Sequence, residues 1–219
     1  MASHMSVLRQ PEVLGRTTRR RVVGVTAALS AAAVETVAVG CWFGLVVVGS
    51  RTTSTALAGL GVLFCGSLLR MGIFGAMVSD LGDLLQPKQL GVTVTLTASW
   101  IVWLLVAELV GDPLGVAVAA VVFAGMLTGQ FVLERYIFSK PTADGRPVTL
   151  AVSGLLLAAG ASTLLATAWF TDWAISSSPL VLGSTTIVLR IGAVHLGVVV
   201  FGIFAFLAHQ RRFQRLLGT

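Results

Sequence analysis

The stretch from Arg19 to Gly49, RRRVVGVTAALSAAAVETVAVGCWFGLVVVG, decides the fold. It opens on an arginine cluster and continues as an apolar run longer than the roughly 20 residues that cross a bilayer core, with one carboxylate, Glu35, at its centre. A charged side chain at that depth costs about 2.5–3.5 kcal/mol on insertion scales, so the acid must be protonated or partnered. By default it marks a functional site. Ala28, Ala31, Glu35, Ala38 and Trp42 recur at helical spacing, which puts the acid on a face of small residues suited to close helix packing. That face is expected to look into a bundle.

The rest of the chain agrees. A mean hydropathy of +0.92, with 56% hydrophobic and 11% charged residues in 219, excludes an ordinary soluble domain. Met1–Met5 reads as a vector-derived scar, and no cleavable leader follows it. Apolar spans are expected at 22–48, 55–79, 91–111, 114–138, 147–170 and 184–208, separated by Gly- and Pro-bearing connections such as Gly111-Asp112-Pro113 and Ser178-Pro179. The expected fold is therefore all-α and polytopic: six transmembrane helices arranged as three antiparallel hairpins across 22–208, preceded by a basic segment, 1–21, and followed by a basic tail, 209–219. A short internal similarity, Gly24-Val25-Thr26, Gly91-Val92-Thr93 and Pro147-Val148-Thr149, opens each odd span.

Charge sets the orientation. Twelve of the fifteen Lys and Arg fall on one side of this layout and only Arg51 on the other, with Arg70 and Arg190 inside spans. The positive-inside rule then makes both termini cytoplasmic, in what reads as the plasma membrane of a prokaryote. The net charge of +6 is explained by basic flanks meeting anionic lipid, without any nucleic-acid partner. Trp42, Trp169 and Trp173 are expected as an external aromatic belt. A GxxxG pair, Gly125 and Gly129, and a stripe of Gly154, Ala158, Ser162 and Ala166 are the expected packing faces. Such small residues also suit a homo-oligomer or a larger membrane complex.

At about 1.5 Å of rise per residue, Glu35, Cys65 and His195 share a layer near mid-bilayer. Arg70 and Gln130 lie nearer the cytoplasmic face, and Glu108 and Arg190 near the external one. The central polar or translocation site is therefore expected from Glu35, His195, Arg70 and Gln130, with Glu35 and His195 as a proton-exchanging pair. Glu108 and Arg190 form an expected external pair. Asp80, Asp83, Glu134, Asp144 and Asp172 are assigned to loops and helix ends.

No catalytic constellation is expected. Cys41 and Cys65 form neither a CxxC motif nor a disulfide framework; Cys65 is the one candidate reactive thiol, in a minor reading where it joins His195 and Glu35. Cys65-Gly-Ser-Leu-Leu-Arg70 resembles part of an exosortase-type transpeptidase in residue type but not in spacing, and nothing is carried over from that family. The chain has no TVGYG filter, NPA pair or DGxxAR run. The three-hairpin layout is similar to that of small six-span urea channels, without their sequence motifs. No metal or cofactor is expected. The resulting expectation is a small channel or proton-linked transporter. Its rivals are a non-catalytic membrane-complex subunit or assembly factor and, third, an intramembrane thiol-dependent or lipid-modifying enzyme.

Overall fold

Backbone polar groups have no water to bond within a bilayer, so apolar runs of this length satisfy them internally as helices. The computed structural model describes residues 11–78, 87–138, 148–182, 185–188 and 190–216. Six α-helices dominate it: α1 (Pro11–Phe43, prolonged by a π-helical turn, Gly44–Val48), α2 (Thr53–Val78), α3 (Pro87–Val110), α4 (Asp112–Phe138), α5 (Val148–Phe170) and α6 (Ala193–Leu216). All six are long and apolar enough to cross a membrane, and the protein is an integral, multi-pass membrane protein. Arg9, Lys140 and Arg146, which contribute to the charge asymmetry, lie outside the described residues, as does the Met1–Met5 segment.

Local chemistry explains the tight connections. Thr52 caps α2: its Oγ1 accepts from the Thr55 amide at 3.2 Å, while Thr55 Oγ1 accepts from the Thr52 amide at 3.0 Å. The exchange satisfies two helix-terminal donors reciprocally. Between α3 and α4 a single residue, Gly111, turns the chain at φ 71°, a left-handed conformation that glycine adopts without a Cβ penalty. Its amide donates back to the Ala107 carbonyl at 2.9 Å. Asp112, at φ 53°, and Pro113 then start α4, with proline at a position where no amide hydrogen is needed.

Consecutive helices pack against one another, and α6 closes back onto α1. Glycines set several of these approaches. A Cβ on Gly66 of α2 would collide with Ala38 Cβ of α1, and one on Gly160 of α5 would sit 2.9 Å from Phe204 Cβ of α6. A Cβ on Gly154 would lie 2.7 Å from Thr128 Oγ1 and 3.0 Å from the Ala124 carbonyl oxygen, so the α5 stripe packs on α4. The GxxxG pair behaves differently: Gly125 and Gly129 have nothing within 4 Å of a built Cβ. They lie away from the neighbouring helices, and α4 packs through the adjacent Ala124–Thr128 face.

The bundle interior is filled by rings between the site described below and the helix ends joined by Gly111. Trp100 stands edge-on to Trp103 with centroids 5.5 Å apart, to Trp42 at 6.0 Å and to Phe201 at 5.6 Å, and tilts on Phe123 at 4.6 Å. Trp42 is thus buried against Trp100 of α3 and beside Gly59 of α2 rather than part of a lipid-facing belt; Trp169 is half-buried and Trp173 exposed. The reason is spacing: Trp42 continues the inward Ala28–Ala38 face, and all five members of that face, Glu35 included, are buried.

The largest departure from expectation lies before α6. Residues expected as the start of a span at 184 instead form two nested antiparallel ladders. Strand β1 (Ala174–Ser176) pairs with β4 (Arg190–Gly192), and β2 (Leu180–Leu182) pairs with β3 (Thr185–Ile187). The β-branched run Thr185-Thr186-Ile187-Val188 favours a pleated, extended chain. Helix α6 therefore begins only at Ala193 and continues to Leu216, displaced by about two turns from the expected span.

Candidate functional site

Displacement of α6 changes which of its residues reach the interior. Phe201, Ala205, Ala208, His209, Arg212 and Phe213 are all buried, a single inward stripe at helical spacing. His209 and Arg212 consequently enter the bundle from α6, Glu35 from α1, Arg70 from α2, and Gln130 with Glu134 from α4. Each residue of the i, i+3 or i, i+4 pairs (His209 with Arg212, Gln130 with Glu134) sits one helical turn from its mate.

Their geometry is that of one connected network. Glu35 Oε2 lies 2.6 Å from His209 Nε2, and Glu35 Oε1 lies 3.8 Å from Arg70 Nη1. Arg70 Nη2 donates to Glu134 Oε1 at 3.2 Å, and Gln130 Nε2 donates to the same oxygen at 3.0 Å. Arg212 Nη2 donates to Glu134 Oε2, and the Arg212 guanidinium stacks over Phe131 at 3.9 Å from the ring centroid. Arg70 is fully buried, while Glu35 and Glu134 are each 4% exposed. In a low-dielectric interior such charges persist because they are mutually paired and hydrogen-bonded. With His209 neutral the two arginines balance the two carboxylates.

A small cavity opens beside the network, lined by Glu35, Ser67 and Arg70 with Leu63, Leu96 and Trp100. It offers about 10 Å³ to the centre of a water-sized occupant, room for about one water. Arg70 Nε and Nη1 and Glu35 Oε1 have no hydrogen-bond partner. The aromatic layer headed by Trp100 closes this cavity toward the Gly111 end. On the other side the network descends through Glu134 and Arg212 toward the ends of α4 and α6.

Of the expected site residues, the structure brings Glu35, Arg70 and Gln130 together. It does not bring His195 to them: His195 is exposed in the first turn of α6, where its Nδ1 accepts from the Gly192 amide at 3.0 Å. The shared depth assigned to Glu35 and His195 rested on a span ending at 208; with α6 ending at Leu216, His195 moves toward the opposite end. Glu108 pairs with Arg51 at 2.8 Å, across the ends of α2 and α3, while Arg190 is exposed on β4. Cys65 is exposed on the outer side of α2, although its neighbour Gly66 abuts α1, so no thiol joins the buried acid and histidine. Among the described residues no group of three His, Cys, Asp or Glu side chains has the arrangement of a metal site.

Sequence reasoning missed His209, Glu134 and Arg212, assigning them to the tail or to helix ends. A signal was available in the continuation of the α6 apolar stripe past Ala208 to Phe213, and in the Gln130–Glu134 spacing. Comparison with known proteins finds no matching family model, no matching curated protein and no matching solved structure.

Proposed function

We propose that this protein is a small proton-linked transporter or proton-gated channel whose working site is the Glu35–His209–Arg70–Glu134–Arg212 network. The observation that carries the reading is the 2.6 Å contact between Glu35 Oε2 and His209 Nε2, deep in a bundle of membrane-spanning helices. A carboxyl and an imidazole in that contact exchange a proton over one hydrogen bond. Membrane-embedded acids paired in this way mark proton relays and ion pathways. The aromatic layer borders the site on one side, where an alternating-access device would place a closed gate.

The basic residues at the end bearing both termini favour that end as cytoplasmic, in the plasma membrane of a prokaryote, with anionic lipid against the flanks. A rival reading, a non-catalytic subunit whose polar network only fastens helices, draws on the fact that the same side chains join α1, α2, α4 and α6.

Proteoliposomes loaded with a pH dye separate the two readings. An imposed pH gradient is expected to drive proton entry with the wild-type chain. Glu35→Gln is expected to abolish this flux while leaving a folded protein. Equal flux in both, or none above empty vesicles in either, sinks the transport reading and leaves the structural one.

A further inference from the structure

Arg70 presents more donors than its surroundings use. Its Nη2 is committed to Glu134, whereas Nε and Nη1, on a side chain that lines the cavity and has no exposed surface, are without a hydrogen bond. The buried hydroxyl residue Ser67 borders it too. Nε and Nη1 lie on different edges of the guanidinium, so each donates singly, and a buried cationic N–H is a strong donor to an anion. Beyond Glu134, the counter-charge within reach is Glu35 Oε1, 3.8 Å from Nη1 and itself without a hydrogen bond. That distance is too long for a direct bond and leaves a gap between the two groups.

We infer that the Arg70–Ser67 cavity is an anion subsite whose occupancy is coupled to protonation of Glu35. This assignment rests on the transport reading above and names its co-substrate. Ionised Glu35 neutralises Arg70 and repels an anion from the same cavity. When a proton arrives on Glu35, the two arginines face only Glu134, and the network carries one uncompensated positive charge. Burial makes such a charge costly unless a counter-ion enters. The groups facing Glu35 set the same direction: Arg70 from α2 and His209 from α6 lie against it, an anion beside Arg70 supplies the negative charge that protonated Glu35 withdraws, and Glu134 from α4 remains bound to both guanidiniums. Proton and anion therefore move as a pair. With room for about one water, the cavity admits at most a monatomic ion such as chloride and excludes a sugar or an amino acid.

The test uses full-length protein in dye-loaded proteoliposomes, clamped at zero membrane potential and without a pH gradient, with chloride added outside against gluconate. Chloride is expected to acidify the lumen. Arg70→Gln is expected to abolish this response. Glu35→Gln is expected to keep anion uptake, read by an ion electrode, without acidification. Ser67→Ala, a milder change that keeps every charge, is expected to raise the half-saturating anion concentration several-fold. Proton flux that is identical in gluconate, or an unchanged half-saturation in Ser67→Ala, overturns the anion subsite while the transport reading stands. Absence of proton flux under every gradient removes both.

Discussion

Replacing Glu134 with glutamine withdraws the one carboxylate shared by two buried guanidiniums. Arg70 and Arg212 both donate to it, with side chains 0% and 8% exposed, and Gln130 donates as well. Removing one partner of a buried ion pair typically costs about 3–5 kcal/mol, because the remaining charge is stranded without solvent. Here two charges are stranded, and one acceptor oxygen gives way to an amide NH2 that turns a donor toward donors. For a chain of 219 residues, a shift of about 2–4 °C per kcal/mol converts that cost to a fall in melting temperature of roughly 6–20 °C. Thermal unfolding in mild detergent, followed by tryptophan fluorescence, measures it. Combining Glu134→Gln with Arg212→Met removes one stranded charge, and a coupling energy of about 0.5–3 kcal/mol is expected for groups in direct contact. A fall of less than about 2 °C in the single variant, or strict additivity in the pair, would refute the idea that Glu134 holds the network together.

Other substitutions separate packed positions from lipid-facing ones. Gly129→Leu is expected to change stability by no more than about 0.5 kcal/mol, since its Cβ meets open space, whereas Gly160→Leu, pressed on Phe204 and Phe201, is expected to lose about 1–3 kcal/mol or more by overpacking; equal melting temperatures would contradict the assigned helix faces. Arg51→Ala breaks the ion pair with Glu108, whose side chains are 59% and 31% exposed, and is expected to cost about 0–1 kcal/mol; a loss as large as that of Glu134→Gln would show that pair to be structurally central. In a background lacking Cys41 and Cys65, cysteines at Thr53 and Ser177 are expected to react with an impermeant thiol reagent from one side of the membrane and a cysteine at Gln214 only from the other. Labelling of all three from one side would break the six-span topology.

Membrane class was the most legible property, because bilayer thickness imposes one length on every span and the apolar runs repeat it. The inward face of α1 was legible for a related reason: Ala28, Ala31, Ala38 and Trp42 flank Glu35 at helical spacing, and burial follows that spacing. The partner of Glu35 was not. A histidine at 195 and one at 209 differ by about four turns, and choosing between them required knowing where α6 begins. Hydropathy does not distinguish a β-branched ladder from a helix end, so Thr185–Val188 read as membrane span. At the other end, His209-Gln210-Arg211-Arg212 reads as a solvated tail in composition, although burial of alternate turns keeps two of its members inside. Gly125 and Gly129 misled in the opposite direction: a spacing that permits close approach does not say which side of the helix the neighbour occupies.

The central claim is that Glu35, hydrogen-bonded to His209, exchanges a proton with water inside the bundle. Infrared difference spectroscopy of the reconstituted protein, titrated from about pH 9 down to about pH 3, tests it most directly. A carboxylic-acid carbonyl band is expected to grow in on acidification, to shift on transfer to deuterated water, to move its midpoint in His209→Ala and to vanish in Glu35→Gln. A wild-type spectrum in which no carbonyl band titrates, or in which the titrating band persists unchanged in Glu35→Gln, would contradict the account.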